Sequence, residues 1–388
     1  MKDRICLVVQ RYGLEVNGGA ELQCRLFAEH LLSKYDVEVV TTKALDYMSW
    51  KNEYKHDEEI INGVKVHRFG VDRQRKAREF NVINGKLLRE GLTPDEEPEW
   101  LDKQGPLCPQ LIRYIQDNKD NYKAFIFFAY LFYPTVKGLP EVADKAIFIP
   151  EAHNEPFLKM ELIRRLFYMP QAFFFNTEEE KNFVHKKFGN TDIPYDIGGI
   201  GIEEPGETDS DDFKKKYNLN NYMLYVGRID EGKNCHILFK YFKEYKKRNG
   251  GDLKLVLIGK PVIEIPKYDS IVALGFLDEQ DKTNGVAGAR MVVLPSEFES
   301  LSMVVLEAMT VGTPVLVNGK CEVLKGHCIK SNGALYYTNY FEFEAEVNYL
   351  LQKDEEREAI TANARKYVDE NYKWNVVIDR LTNLIEGI

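Results

Sequence analysis

Short apolar runs alternate with stretches in which apolar residues recur every three or four positions, and this alternation sets the organisation of the chain. In the first half, residues 5–9, 37–41, 64–69, 124–129, 146–149 and 171–177 read as strands, the third after an Asn62-Gly63 turn. Most carry no polar interruption, as expected of parallel strands buried on both faces. Leu22, Leu26 and Leu31 keep helical spacing after the first run, and residues 178–188 read as a helix after the last. The alternation restarts at residues 222–226 and continues through 253–259, 271–275, 290–294 and 314–318. Ile237, Leu238, Tyr241 and Phe242 mark one helix of this second series; Met303, Val304, Leu306, Met309 and Val311 mark another, with Ser302 as its N-cap and Gly312-Thr313-Pro314 as its stop. Between the two series, Gly198-Gly199-Ile200-Gly201-Ile202 and an acidic run over 203–212 read as a linker, and the charged, proline-bearing stretch 94–109 as a surface connection. The pattern predicts an α/β protein with two doubly wound, Rossmann-like domains, residues 1–202 and 203–370, followed by a tail over 371–388 within a helical segment that begins at Asn363 and contains Trp374.

Bulk properties narrow the functions open to such a chain. Its 388 residues exceed what one core usually supports. Against 61 acidic residues stand 52 lysines and arginines, a net charge of −9 that argues against nucleic acid as the main partner. Six scattered cysteines (Cys6, Cys24, Cys108, Cys235, Cys321, Cys328) and no secretory leader before Ile5 fit a reducing cytoplasm. The longest apolar stretch, 124–133, is too short to span a bilayer, so membrane contact would be peripheral, at the inner face. One local basic excess stands out: Arg73, Arg75, Lys76, Arg78, Lys86 and Arg89 suit an anionic acceptor or an acidic lipid surface, and equally a solvated loop. Cys321, His327 and Cys328 lack a fourth ligand at metal-site spacing, and no metal is expected.

Candidate chemistry gathers where strands end. After residues 5–9, Gly18-Gly19 open a helix, letting backbone approach a ligand where the helix dipole points outward; a merely flexible helix entry would look the same. His153 follows the carboxyl end of 146–149, where open α/β sheets bind ligands. In the second series, Gly227-Arg228-Ile229-Asp230-Glu231-Gly232-Lys233-Asn234 mirrors the opening of the first, and a guanidinium and an ammonium five residues apart can converge on one diphosphate, although surface charge has the same spacing. Glu299 precedes a predicted helix and Glu307 lies about two turns on, with the amides of Ser300, Leu301, Ser302 and Met303 as unpaired donors for an anion.

A Glu, seven residues and a second Glu, preceded by Pro295-Ser296 and followed by Ala308-Met309, resembles the motif of the retaining family-4 glycosyltransferases of GT-B fold. The Asn17-Gly18-Gly19-Ala20-Glu21 string and the Arg228/Lys233 pair are similar to that family's N-terminal loop and diphosphate clamp. His153 matches its His-Asp pair with Asn154 in place of Asp, and Ser300-Leu301-Ser302 stands where many relatives have Gly-Phe-Gly. The resemblance implies two domains facing across a cleft that closes for catalysis, with the tail over 371–388 crossing back to the first domain. It also implies retaining, metal-independent transfer of a sugar from a UDP-, GDP- or ADP-sugar to a hydroxyl of a glycan or lipid-linked acceptor. By the same token Arg228 and Lys233 stabilise the leaving diphosphate, Glu307 holds the ribose and Glu299 the donor sugar. Gly227, Gly259 and the Leu274-to-Leu277 segment with Phe276 lie near the nucleotide, and His153, Gly18 and Gly19 complete the site. An epimerase or hydrolase of the same fold, or a catalytically silent subunit, are the alternatives.

Overall fold

The computed structural model describes residues 2–16 and 18–388. The chain divides into two compact units, Met1–Ile200 with Val377–Ile388, and Gly201–Val376. In the first, β1 (Arg4–Val8), β2 (Asp36–Thr42), β3 (Glu58–Ile61), β4 (Val64–Phe69), β5 (Ala124–Phe128), β6 (Ala146–Ile149), β7 (Ala172–Phe175) and β8 (Tyr195–Ile197) form one sheet in the order β3-β4-β2-β1-β5-β6-β7-β8. Every pairing is parallel except the β3–β4 edge. Every residue of β5, β6 and β7 is buried, which is why those strands carry unbroken apolar runs. One face is filled by aromatic rings, with Phe148 lying 5.9 Å from Phe173 and 5.6 Å from Phe167.

The second unit holds β9 (Tyr222–Val226), β10 (Lys254–Ile258), β11 (Ile271–Gly275), β12 (Met291–Leu294), β13 (Val315–Asn318) and β14 (Leu335–Tyr337), all parallel, in the order β11-β10-β9-β12-β13-β14. The order reverses between β9 and β12, so the loops leaving these two strands flank the crevice where open α/β sheets take ligands.

Several expectations from the pattern need correction. Helix Gly19–Leu31 buries Ala20, Cys24, Phe27 and Leu31 rather than Leu22 and Leu26, because small residues let it sit close to the sheet. Helix Met303–Val311 buries Val305, Leu306, Ala308 and Met309, leaving Met303, Val304 and Val311 partly open. Ser302 occupies its N-cap position with φ 72° and forms no side-chain cap. The stretch 94–109 is no mere surface connection: it forms helix Glu97–Gln104, whose Trp100 and Leu101 are buried in the first unit's core. The acidic run ends inside helix Ser210–Tyr217, capped by Asp209, which accepts from the Asp212 amide at 2.8 Å. The final helical segment is two helices, Asp354–Asn371 and Trp374–Glu386.

Candidate functional site

In the second unit, two loops are latched together at the switch point. The loop after β9 begins with Gly227, whose amide donates to the Ile258 carbonyl at 2.9 Å, while the Tyr225 hydroxyl donates to the Arg228 carbonyl at 2.7 Å. Asp230, buried, shapes the turn by accepting from the Lys233 amide at 2.7 Å and also holds the Arg228 guanidinium. The loop after β12 is tied down at Pro295, whose carbonyl accepts from Asn234 at 3.1 Å and Asn318 at 2.9 Å. Across the two loops, Lys233 Nζ lies 2.7 Å from Glu299 Oε1, with side-chain exposures of 33% and 12%. Arg228 keeps 64% of its side chain exposed.

Glu307, on helix Met303–Val311, is met by Lys282 at 3.1 Å, and Lys282 also meets Glu279 at 2.6 Å. Burial works to lower the Lys282 pKa, but Glu307 and Glu279 outweigh it and the net direction is upward, so this ammonium stays charged. Burial raises the Tyr225 phenol, which stays a neutral donor. Gly227 and Gly259 meet backbone to backbone: a Cβ on Gly259 would stand 1.9 Å from the Gly227 carbonyl oxygen, and Gly259 has φ 139°. Only glycine fits there. The Gly259 amide donates to the Gly275 carbonyl at 2.7 Å, so the ends of β9, β10 and β11 are joined glycine to glycine. Phe276, next along, is 82% exposed.

The structure thus places Gly227, Arg228, Lys233, Glu299, Ser300, Leu301, Ser302 and Glu307 on two adjoining loops and the helix that follows the second. Sequence reasoning missed Lys282, Asp230, Asn234 and Asn318. Of these only Asp230 left a readable signal, an Asp three residues before an amide it can accept from.

In the first unit a second cluster forms beside β1 and β6. Asn17 of the glycine string lies outside the described residues. A Cβ on Gly18 would collide with Glu21 Oε2 at 2.0 Å, whereas Gly19 faces open space. Glu21 pairs with Arg11 at 2.6 Å, both buried. Glu151, just past β6 with φ 53°, has a buried Oε1 without a partner among the described residues. Burial, then Glu21 and Glu180, push its carboxyl well up, which favours the neutral form. Glu180 accepts from the Ala152 and Asn176 amides at 2.6 and 2.7 Å, and burial raises it to about 7. His153 Nε2 lies 2.9 Å from Glu155, which also accepts from Tyr130. Burial works to lower the His153 pKa; its hydrogen bond and charge contact with Glu155, the Glu151 carbonyl and the charge of Glu180 reverse that and raise it. Gly18 and His153 are therefore linked through Glu21, Glu151 and Glu180.

The basic segment is only partly what it promised. Helix Ala77–Glu90 covers most of it. Arg75 is not available to an acceptor or lipid: its Nε donates to the Gln104 carbonyl at 3.0 Å and its Nη2 to Gln104 Oε1 at 2.8 Å, with Tyr47, Trp50 and Phe80 around the guanidinium. Lys76 pairs with Glu79, and Lys86 with Glu96. Arg73, Arg78 and Arg89 are exposed. Among the described residues, no helix is long and apolar enough to cross a membrane.

Residues 207–367, most of the second unit, match the family model of glycosyl transferases, group 1. An uncharacterized glycosyltransferase of Methanocaldococcus jannaschii is 30% identical over 175 residues, 42% of this chain; the match spans only 44% of that relative's length. Solved structures cover the whole chain. Sucrose-phosphate synthase from Thermosynechococcus elongatus has a TM-score of 0.72 at 14% identity, over 100% of this chain and 99% of that one. The Anabaena protein HepE, solved in complex with UDP and glucose, has a TM-score of 0.71 at 14% identity, over 100% of both chains. At such identities the likeness is one of fold: two Rossmann-like α/β units of the GT-B type.

Proposed function

We propose that this protein is a retaining glycosyltransferase that moves a sugar from a nucleoside diphosphate sugar to a hydroxyl of a glycan or lipid-linked acceptor. The observation that carries the reading is the Lys233–Glu299 ion pair, latched across the two loops at the switch point of a unit that matches the group 1 glycosyl transferases. HepE, a fold neighbour, was solved with UDP and glucose, which supports a nucleotide-sugar donor.

In this reading the diphosphate replaces Glu299 as the partner of Lys233, and Arg228 swings from Asp230 to join it. Glu299, released, takes the donor sugar's hydroxyls. Glu307, held in place by Lys282, takes the ribose, with Gly227, Gly259 and Phe276 beside the nucleoside. The amides that open helix Met303–Val311 add dipole at the same phosphate. As the bond from the anomeric carbon to the phosphate oxygen breaks, its electron pair leaves with the diphosphate, and the two cations and the amides stabilise the growing charge. The acceptor oxygen bonds to the same face, and its proton passes to an oxygen of the leaving diphosphate. With the neutralisation supplied by side chains, the reaction so drawn needs no divalent ion.

In the first unit, Gly18, Gly19 and His153 are the groups proposed for the acceptor. The outer face of helix Ala77–Glu90, where Val82 and Leu88 are 70% and 53% exposed near Arg78 and Arg89, would serve a peripheral contact with an anionic membrane.

Calorimetric titration with UDP, GDP and ADP and their sugars tests the reading. One nucleoside diphosphate should bind, its sugar form should bind too, and the anomeric configuration of the transferred sugar should be kept. No binding of any of them would overturn it.

A further inference from the structure

The residues just before helix Met303–Val311 adopt a conformation that their sequence does not favour. Ser302 stands at φ 72°, ψ 80°, in the left-handed region that a residue with a Cβ enters at a cost of about 1–3 kcal/mol. Its carbonyl nevertheless starts the helix, accepting from the Val305 and Leu306 amides at 3.2 and 3.4 Å. Something must hold the chain there, and the residue before it is fixed from outside the loop. On helix Glu322–Ser331, His327 is fully buried, and its Nε2 lies 2.8 Å from the Leu301 carbonyl oxygen. A carbonyl only accepts, so Nε2 carries the proton, and Nδ1 accepts from the Tyr367 hydroxyl at 3.1 Å. Both ring nitrogens are thereby engaged and the tautomer is set. Burial lowers the imidazole to about 4, so it is neutral near pH 7, as this arrangement requires.

We propose that His327 is a positioning residue of the donor site: its Nε2–H pins the Leu301 carbonyl and so holds the 299–302 loop in the shape that sets Glu299 against Lys233 and starts the helix bearing Glu307. The loop is then fixed at both ends, at Pro295 by Asn234 and Asn318, and at Leu301 by His327. Tyr367 orients the imidazole from behind. Where a glycine would enter the left-handed region without strain, this chain holds a serine there from a neighbouring helix. The inference rests on the reading of this loop as a diphosphate site.

The test compares three variants. His327→Leu removes the donor; His327→Gln keeps an amide N–H that reaches the same carbonyl; Leu324→Ala, buried on the same helix, loosens the unit without touching that bond. UDP, GDP and ADP are titrated against the wild type, and the tightest is used throughout. The dissociation constant should rise on the order of tenfold in His327→Leu, the effect of one lost buried hydrogen bond. It should return to within about threefold of wild type in His327→Gln and stay near wild type in Leu324→Ala, although that variant melts earlier. In the ligand-free proteins, hydrogen exchange at the Val305 and Leu306 amides should speed up in His327→Leu alone.

Unchanged affinity and exchange in His327→Leu would overturn the proposal, as would equal weakening in His327→Leu and Leu324→Ala. If the wild type binds no diphosphate, the glycosyltransferase reading falls, and exchange at Val305 and Leu306 still decides whether His327 holds the loop.

Discussion

At the scale of single residues, the proposed chemistry turns on an exchange of partners. Lys233 and Glu299 pair at 2.7 Å, and the proposed function has the diphosphate separate them. The two substitutions should therefore fail differently. Lys233→Ala removes a cation from the leaving group and leaves Glu299 to repel phosphate. Turnover should fall by roughly two to three orders of magnitude, and the free nucleoside diphosphate should bind more weakly. Glu299→Ala should also depress turnover, yet the diphosphate should bind as well as before or more tightly, because the competing carboxylate is gone. Titration of both variants decides it, and equal loss of affinity in the two would sink the assignment. Each of these residues was legible from its own loop, but their pairing was not, since 66 positions separate them. Lys282 escaped notice altogether: a lysine three residues after Glu279 reads as an ordinary helix-surface pair, and nothing in that spacing points to Glu307.

At the scale of elements, legibility followed burial. β5, β6 and β9 are buried along their whole length and appear as unbroken apolar runs. β3 and β8 sit at the sheet's edges with charged or half-exposed residues, and β14 has only three residues, so none carried a period to read. Helix faces were misphased where alanine and cysteine, not leucine, face the sheet. The basic segment failed as a pattern for a related reason: charge along a sequence does not tell which guanidinium turns inward. Arg75 turns inward, and it should behave as a structural residue. Arg75→Ala leaves the Gln104 carbonyl without its charged donor and should cost about 2 kcal/mol in urea unfolding. Lys76→Ala, on the exposed neighbour, should stay within about 0.5 kcal/mol of wild type. Equal effects from the two would return Arg75 to the solvated face.

At the scale of the whole molecule, the restart of strand and helix alternation after residue 202 was plain in the sequence, whereas the return of the chain's last residues to the first domain was implied by the family resemblance and not by the residues themselves. Val377, Leu381 and Ile385 recur at helical spacing, which says that the helix has an apolar face but not what that face meets. In the structure, Val377–Ile388 belongs to the first unit. All three side chains are fully buried, Lys34 pairs with Asp379 at 2.6 Å, Lys123 and Tyr35 meet Glu386 at 2.5 and 2.6 Å, and Arg380 donates to the Ile197 carbonyl at 2.8 Å. Burying three such aliphatic side chains contributes about 5–8 kcal/mol, comparable with the roughly 5–15 kcal/mol that keeps a domain folded. A chain ending at Val376 should therefore lose the first unit, although the deleted residues follow directly on the second. Limited proteolysis with mass spectrometry should show cuts throughout residues 2–200 and a resistant fragment from 201 onward. That fragment should still be stabilised by the nucleoside diphosphate that binds the full chain, by about 2.7 kcal/mol at a hundredfold excess over its Kd. Wild-type resistance across residues 2–200 in the shortened chain would show that the terminal helix is dispensable to the unit that holds it.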